Sequence, residues 1–482
     1  MRYFILMAGC LFFGNCFSQV SVGYSGVMTR FQNLSFVQSE NGGYLSLKKT
    51  NADLKGKSWN TGRHILTLQK YDKDYKLLTE TNVAGGANTF NSRYSELVKM
   101  GNKYWLLYLE PLNNNDMGDI KAIEINPATL EQKEAKTVIP GTALNHSISK
   151  ITESYALSFI TGLSPAAKYY YLCVRMSEEV HFFTCVDENM RAAWNKKETI
   201  DGIKSGSICS MEADDAGNLY VAYIKKAGLF SSVYSANGQV STKEIRLAAG
   251  KAKEILFFPV KNSNQVLVAG TYMEDDNCTG VFKGVFKNGE PADITTTAFP
   301  ETIIQPLDKE GWASTKSKKF GAKPSFLATP VQGNDGPDFV MEFSLATSNP
   351  GRPGYFHSGS MVYVDFTAAG VVFTRVPRYG LGPTVYEYGF NGRFETGCYY
   401  YAFPYNAKMI ILYFDTPENL NRDIALDAKV SNAGNTVLMA AVIEKDGTLK
   451  RQRANTSSAT DRNEVKVPVK MQDKIIIASV AL

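Results

Sequence analysis

Short runs of β-branched and aromatic residues, separated by tight polar turns, extend along most of the chain. Val362–Phe366 and Ile123–Ile125 are two such runs, and both show partial alternation of apolar and polar positions. This pattern is typical of half-buried β-strands. The turns are rich in Asn, Asp and Gly, which accept a positive φ or hydrogen-bond to the turn backbone. The chain is therefore predicted to be all-β, with one short helical pattern at residues 187–197.

Seven hairpins recur along the chain at intervals of about 50 to 80 residues. Their turns are Asp72-Lys73-Asp74, Asn126-Pro127, Ser177-Glu178-Glu179, Ala236-Asn237-Gly238, Lys287-Asn288-Gly289, Ala368-Ala369-Gly370 and Lys445-Asp446-Gly447. One supersecondary unit per repeat of this size is typical of propellers and other repeat arrays. Because each unit leaves a face uncovered, the units must stack, and a closed ring has no exposed ends. We expect a β-propeller of seven four-stranded antiparallel blades, with six or eight blades as the alternatives.

A second motif precedes each hairpin. Its clearest copy is Asp214-Asp215-Ala216-Gly217-Asn218-Leu219-Tyr220-Val221, and Gly101-Asn102-Lys103-Tyr104 repeats its core. Weaker copies lie at 41–44, 153–155, 263–266, 336–339 and 406–409. The best copy resembles the blade motif of NHL-type and related seven-bladed β-propellers, in which an Asp and then Gly-Asn precede a Tyr-Val strand. It is also similar to a degenerate sialidase Asp-box, with Ala213 and Tyr220 where Ser and Trp are expected.

The propeller is expected to occupy residues 19–482 as a single domain. Each blade would consist of an inner strand, the turn with the second motif, a second strand and then the hairpin. Strand-like segments at 465–467 and 475–480 follow the seventh hairpin. We expect this C-terminal strand to close the ring by completing a blade that residues 27–38 begin.

The N-terminus has the pattern of an export signal at residues 1–18. Arg2 precedes an apolar run at 3–13, and cleavage is expected after Ser18. The ending resembles signal peptides of the Bacteroidota, which implies a periplasmic, extracellular or cell-surface protein. A lipoprotein lipidated at Cys10 is the alternative. No later apolar run is long enough to predict a transmembrane segment.

The charge of the chain argues against nucleic-acid binding. Its formal net charge is only +5 over 482 residues, and the densest basic stretch is Lys316, Lys318, Lys319 and Lys323. Such a short stretch is typical of a solvated loop and not of a basic binding surface.

The cysteines predict no disulfide framework. Five remain after the signal peptide, and none has metal-ligand spacing. Cys173 and Cys185 flank one predicted hairpin, so either a cross-strand disulfide or two separate buried thiols is expected there.

Neither a catalytic motif nor a metal motif stands out. The four histidines form no His-Glu-x-x-His site, and no Gly-x-Ser-x-Gly turn is present. The acid-rich segments 113–119 and 274–276 offer oxygen ligands for calcium but lack the spacing of a twelve-residue calcium loop. No cofactor is predicted, with calcium as the weak alternative.

One face of the ring is expected to carry any binding site. In a propeller the second–third strand connectors and the links between blades share one face, which we call the connector face. The long connectors expected there are 49–62, 110–118, 188–206, 298–324, 347–359, 378–395 and 415–435. Aromatic and Arg side chains are enriched at recognition sites. The candidate partner-binding residues on these connectors are Trp59, Trp194, Trp312, Arg352, Tyr355, His357, Arg378, Tyr379, Tyr386, Tyr388 and Arg393.

Three functions stay open on the sequence. The first is an exported binding or scaffold propeller that recognises an envelope protein or a glycan through the connector face. The second is a glycoside hydrolase or polysaccharide lyase, an analogy at the level of fold alone, with acids drawn from Glu110, Asp116, Glu274, Asp275 and Glu387 in a central pocket. The third is a structural component of a cell-envelope assembly.

Overall fold

The computed structural model describes most of the chain between residues 36 and 481. The described ranges are 36–39, 42–51, 63–72, 76–83, 90–91, 94–110, 118–144, 158–177, 179–225, 228–247, 250–274, 277–287, 290–310, 325–331, 336–347, 355–378, 380–383, 400–405, 407–415, 417–420, 437–453, 464–471 and 474–481. The predicted signal peptide lies outside these ranges.

Seven antiparallel sheets follow one another along the chain, each with four consecutive strands side by side in chain order. Blade 1 contains β1 (Phe36–Gln38), β2 (Tyr44–Asn51), β3 (Arg63–Tyr71) and β4 (Leu77–Asn82), with β5 (Phe90–Asn91) pairing with β3. Blade 2 contains β6 (Ser95–Met100), β7 (Lys103–Leu109), β8 (Ile120–Ile125) and β9 (Lys136–Ile139). Blade 3 contains β10 (Ser158–Leu163), β11 (Tyr169–Arg175), β12 (Val180–Asp187) and β13 (Ala192–Thr199).

The remaining blades repeat this order. Blade 4 contains β14 (Ile203–Ala213), β15 (Leu219–Lys225), β16 (Gly228–Tyr234) and β17 (Val240–Glu244). Blade 5 contains β18 (Lys251–Pro259), β19 (Val266–Glu274), β20 (Asn277–Lys287) and β21 (Glu290–Ala298). Blade 6 contains β22 (Ser325–Pro330), β23 (Phe339–Thr347), β24 (Tyr355–Thr367) and β25 (Gly370–Val376), with β26 (Gly380–Pro383) pairing with β24. Blade 7 contains β27 (Tyr400–Tyr405), β28 (Lys408–Asp415), β29 (Val437–Ile443) and β30 (Leu449–Arg453).

A terminal hairpin and three short helical segments complete the described structure. The hairpin pairs β31 (Glu464–Met471) with β32 (Lys474–Ala481). The helical segments are α1 (Gly141–Leu144), α2 (Glu301–Glu310) and a 3-10 turn at Pro417–Asn419. Among the helices in the described ranges, none has the length and apolar character needed to cross a membrane.

Apolar cores between neighbouring blades hold the sheets together. In the described part of the chain, six such cores join blades 1–2, 2–3, 3–4, 4–5, 5–6 and 6–7. First strands of successive blades also contact each other at β1–β6, β10–β14, β14–β18 and β18–β22. The sheets therefore converge on their first strands, which surround the axis. The fold is a β-propeller of seven four-stranded blades, as the sequence predicted.

The best copy of the second motif forms the turn between β14 and β15. Asp214 is fully buried and accepts hydrogen bonds from the amides of Ala216 and Asn218, both at 2.9 Å, and from the hydroxyl of Tyr220 at 2.8 Å. Gly217 has a φ of +85°, and an added Cβ would lie 3.2 Å from the ring of a blade 3 tyrosine. Turn geometry thus accounts for Asp and Gly here.

Blade 3 departs from the predicted register. The turn at 177–179 joins β11 to β12, so it is a second–third connector and not the outer hairpin. Its first–second turn is 164–168, and the motif copy proposed at 153–155 lies outside the described residues. The connector in this blade is only four residues long, 176–179, and a tight turn of this kind cannot be told from a hairpin turn by its sequence.

The predicted helix at 187–197 is wrong. These residues form the end of β12, a turn at 188–191 and most of β13. Asp187 accepts hydrogen bonds from the amides of Asn189 at 2.8 Å and Arg191 at 2.9 Å, and Met190 has a positive φ of 58°. This side-chain-capped turn competes with helix formation and ends the strand.

The C-terminal strand has a different partner from the one expected. β32 pairs with β31 along its whole length, and blade 1 takes all four strands of its sheet from residues 36–82. Only two residues separate β31 from β32. Closing so short a loop costs far less entropy than pairing with a strand at the other end of the chain.

Cys173 and Cys185 are free, buried thiols. Cys173 lies opposite Phe183 and Cys185 lies opposite Tyr171, so the two cysteines are diagonal and not paired across the strands. Residues in that diagonal relation are too far apart for disulfide geometry. Of the two arrangements expected from the sequence, the structure has the separate thiols.

Candidate functional site

The two faces of the ring differ in the length of their loops. One end of each blade, which we call the hairpin face, carries the first–second and third–fourth turns, and the longest of them is 126–135. The connector face carries several longer segments, and the four longest are 140–157, 299–324, 377–399 and 416–436. Binding residues concentrate on loops placed by a rigid scaffold, so the connector face is the candidate functional surface.

The long connectors are unevenly distributed around the ring. Over blades 3 to 5 the connectors and links are short, at 176–179, 200–202, 226–227, 245–250 and 275–276. We call this region the open sector. The longer segments lie within or beside the remaining blades.

The predicted connector at 188–206 is not a connector. It contains β13 and the beginning of β14. The other predicted connectors fall between strands on the connector face only in part. The range 49–62 includes the end of β2, 347–359 includes the first residues of β24, 378–395 includes β26, and 298–324 includes α2. Ile303 and Leu307 of α2 are buried in the core between blades 5 and 6, so part of that connector is structural.

Trp194, expected on a connector, lies instead in β13 and is only 7% exposed. Its indole Nε1 donates a hydrogen bond to the carbonyl oxygen of Gly217 in blade 4, at 2.8 Å. Its ring stacks on Tyr234 with centroids 5.9 Å apart. The side chain joins two blades and cannot contact a partner at the surface.

Arg378, also expected at the surface, is only 2% exposed. It lies just after β25, where it forms an ion pair with Glu342 and donates from Nε to the carbonyl oxygen of Gly359 at 3.3 Å. Burial raises the pKa of Glu342, although the guanidinium beside it acts in the opposite direction. Arg378 is therefore part of the interior of blade 6 and not of a recognition surface.

The other predicted partner-binding residues are located only in part. Tyr355 and His357 lie at the connector end of β24, opposite Thr347 and Leu345 of β23. The rest lie outside the described residues: Trp59, Trp312, Arg352, Tyr379, Tyr386, Tyr388 and Arg393.

Buried carboxylates on first strands bind the neighbouring blade. Glu96 of β6 accepts hydrogen bonds at Oε2 from Thr161 at 2.9 Å and from the hydroxyl of Tyr170 at 2.6 Å, both in blade 3. On the other side of blade 3, Tyr171 donates to Glu212 of β14 at 3.3 Å. Successive residues of a strand face opposite ways, so Tyr170 and Tyr171 connect blade 3 to both neighbours.

Glu254 is the first-strand carboxyl with the most unusual surroundings. It lies near the connector end of β18, in the open sector, and its Oε2 accepts a hydrogen bond from the amide of Ala328 in blade 6 at 2.8 Å. Burial raises the pKa of Glu254 to about 8, although the Ala328 amide and nearby Lys253 lower it. The residue as a whole is partly buried, and its carboxyl is largely neutral at neutral pH.

A β-bulge places Glu254. The pairing of β18 with β19 skips from Ala252, opposite Tyr272, to Glu254, opposite Thr271, which leaves Lys253 as the extra residue. Bulges redirect side chains and are common beside functional sites. In the sequence, the signal for this site is Lys251-Ala252-Lys253-Glu254 directly before a buried apolar run. A charged start is unusual for an inner strand, and it matches none of the motifs considered above.

The two described acids among those proposed for catalysis do not lie on first strands. Glu110 follows β7 and forms an ion pair with Lys121 at 2.6 Å, and Glu274 ends β19. Both belong to second-strand ends, away from the axis. Asp116, Asp275 and Glu387 lie outside the described residues.

The described residues contain no cluster of three or more His, Cys, Asp or Glu side chains arranged to bind a metal. In the first acid-rich segment, Asp119 accepts hydrogen bonds from Thr137 at 3.1 Å and from the amide of Gly141 at 2.7 Å. This carboxylate therefore connects β9 and α1 within blade 2.

Comparisons with known proteins give a fold-level likeness. No protein-family model matches the chain, and no curated protein matches it. Similar solved structures include a protein from Lactobacillus plantarum, with 14% identity and a TM-score of 0.39 over 82% of this chain and 92% of that chain. The Dos1 propeller has 11% identity and a TM-score of 0.33, over 73% of this chain and 74% of that chain. An exo-β-1,3-galactanase from Clostridium thermocellum has 8% identity and a TM-score of 0.28, over 80% of this chain and 92% of that chain. The assignment as a seven-bladed β-propeller therefore rests on this chain's own strand order and blade cores.

Proposed function

We propose that this protein is an exported, non-catalytic binding propeller that holds an envelope protein or glycan on its connector face. The observation that carries the proposal is the unequal loop length of the two faces, together with the open sector on the connector face. Short, uniform hairpin turns maintain the fold, whereas long connectors of varied length are what a recognition surface requires.

The buried charged groups support a scaffold role. Glu96, Glu212, Glu342 and Arg378 are engaged by hydrogen bonds or ion pairs inside blades or between them. Charge in the ring thus fixes blade positions, and recognition is left to the connectors and the axial opening.

Partner capture tests the proposal. The protein without residues 1–18 is immobilised and exposed to an envelope extract and to a glycan array. We expect Trp59→Ala with Trp312→Ala to reduce capture strongly at an unchanged melting temperature. Asn237→Ala with Asp446→Ala, two exposed positions on the hairpin face, is the matched control and should leave capture unchanged. Equal capture by all three proteins would overturn the proposal.

One observation favours a second candidate, a polysaccharide-cleaving enzyme. Glu254 keeps its proton at neutral pH, as a general acid must. Glycoside hydrolysis also needs a second carboxyl across a cleft, about 5 to 10 Å away. Turnover on a polysaccharide panel that is abolished by Glu254→Gln would replace the binding proposal. No turnover at high protein concentration would remove the enzyme candidate.

A further inference from the structure

Two lysines mark the axial end of blade 5. Among first-strand side chains whose exposure the structure describes, three are exposed: Gln38, Lys251 and Lys253. First strands surround the axis, so side chains exposed near their ends are accessible close to that axis. Lys251 and Lys253 lie at the connector end of β18, where the adjoining connectors 245–250 and 275–276 are short. Both cations are therefore accessible from the open sector.

The backbone at this point leaves little freedom. Gly250 has a φ of +68°, and an added Cβ would lie 2.5 Å from the carbonyl oxygen of Met273, so only glycine fits before Lys251. Lys253 is the bulged residue, and the next residue, Glu254, is held by the Ala328 amide. The lysines thus extend from a fixed strand end and not from a mobile loop.

Protonation of Glu254 sets the local charge. Glu274 ends β19 beside Gly250, with its Cγ 3.2 Å from the position of an added Cβ. With Glu254 neutral, Lys251, Lys253 and Glu274 leave one excess positive charge at this strand end. Ionised Glu254 cancels that excess. Among the described residues, Tyr272 of β19 and Cys278 of β20 are also titratable groups near Glu254, and burial raises the pKa of both, so they stay neutral.

We propose that Lys251 and Lys253 bind the carboxylates of an extended acidic peptide segment of the partner, and that Glu254 weakens this binding when it ionises. The inference rests on the proposed function and names the chemistry of the partner. In an extended peptide, residues at positions i and i+2 lie on the same side. Two acidic residues in that relation can therefore each pair with one of the two lysines.

A fluorescence-anisotropy titration tests this with a labelled peptide of alternating Glu and Ser. We expect Lys251→Ala with Lys253→Ala to weaken binding about tenfold at pH 6, and added salt to weaken wild-type binding. Lys197→Ala with Lys287→Ala removes the same charge from exposed positions elsewhere and should change the affinity less than about twofold. Glu274→Gln removes the opposing carboxylate and should strengthen binding.

The pH dependence separates this account from general charge attraction. Wild-type affinity should fall between pH 7 and pH 9 as Glu254 ionises, whereas Glu254→Gln should keep its affinity over that range with the same lysines. Parallel pH profiles for the two proteins would overturn the role of Glu254. Equal binding of a peptide of alternating Gln and Ser, or full binding by the double lysine variant, would overturn the site.

Three further outcomes distinguish failure of this inference from failure of the proposed function. Polygalacturonate that binds through the lysines while the acidic peptide does not would overturn the peptide assignment. Partner capture that depends on Trp59 and Trp312 but not on the lysines would overturn this inference alone. Capture that depends on neither set would overturn the proposed function as well.

Discussion

Asp215 connects three successive blades through one carboxylate. Its Oδ1 accepts a hydrogen bond from the amide of Ala166 in blade 3, and its Oδ2 accepts one from the amide of Asn262 in blade 5, both at 2.8 Å. Partial burial raises its pKa, but these amides and nearby Ser164 and Lys168 outweigh burial, and the pKa lies below its usual value. The side chain therefore joins the first–second turns of neighbouring blades across the hairpin face.

Removal of this carboxylate should destabilise the ring. We expect Asp215→Ala to lower the free energy of unfolding by about 1 to 3 kcal/mol, because two backbone amides lose a charged acceptor. Asp215→Asn keeps one acceptor oxygen and should lose less. Chemical denaturation measures both, with Asp201→Ala as the control at an exposed turn on the other face. Equal stability of Asp215→Ala and wild type would contradict the three-blade connection.

Ionisation of Glu254 should lower the stability of the fold as the pH rises, because its pKa is raised, whereas the pKa of Asp215 is lowered. The pKa of Glu254 is raised from 4.5 in an exposed state to about 8 in the fold, so the fold favours the protonated form. The contribution is complete below pH 4.5 and is lost as the pH rises through about 8. Wild type should therefore melt at a lower temperature at pH 9 than at pH 7, and Glu254→Gln should show a smaller difference. Identical pH profiles would show that Glu254 is solvated like a surface acid.

At the scale of elements, indole rings connect one blade to the next. Trp105 of β7 donates to the carbonyl oxygen of Glu188 in blade 3 at 3.1 Å, and Trp194 of β13 donates to Gly217 in blade 4 at 2.8 Å. Each ring is buried in the core between its two blades. A second strand, β7, and a fourth strand, β13, thus make the same kind of indole hydrogen bond to the next blade.

Trp194 offers a test of this contact. Trp194→Phe keeps most of the packing and loses the hydrogen bond, so we expect a loss of about 1 kcal/mol in the free energy of unfolding. Trp194→Ala adds a cavity and should lose about 3 to 5 kcal/mol. Partner capture per folded molecule should be unchanged in Trp194→Phe. Reduced capture by a Trp194→Phe protein of unchanged stability would instead indicate that Trp194 contacts the partner.

Strand recurrence and most hairpin turns could be predicted from the sequence, whereas contacts between blades could not. Alternating apolar positions with Asn-Gly or Asp-Gly turns specify hairpins locally, which is why the turns at 236–238 and 445–447 were placed correctly. The turn at 177–179 was assigned to the wrong pair of strands because a four-residue connector has the same turn chemistry as an outer hairpin. The role of Trp194 depends on a contact with blade 4, and strand propensity alone gives no information on such contacts.

The candidate site, too, could be predicted from the sequence only in part. Long connectors follow from the spacing of the hairpins, so most of the connector face was identified from the sequence. The axial group of Lys251, Lys253 and Glu254 was not, since its importance depends on the bulge in β18 and on Ala328, which is far along the chain in blade 6.

At the scale of the whole molecule, the ring combines a hairpin face of shorter turns with a connector face whose segments differ more in length. Six described cores join consecutive blades, and side chains such as Asp215 and Trp194 add directional bonds between blades. Packed blades fix the strand ends from which the connectors leave, and such preorganisation lowers the entropy lost when a partner binds. The account therefore places recognition on one face and structural support on the other.

Site-specific photocrosslinking in the native host tests that division most directly. A photoreactive residue is placed at position 201 or 355 on the connector face, or at 237 or 446 on the hairpin face. Crosslinked partners are then identified by mass spectrometry. The account predicts one recurrent partner from the two connector-face positions and none from the two hairpin-face positions. The same partner captured from positions 237 and 446, and not from 201 and 355, would contradict it.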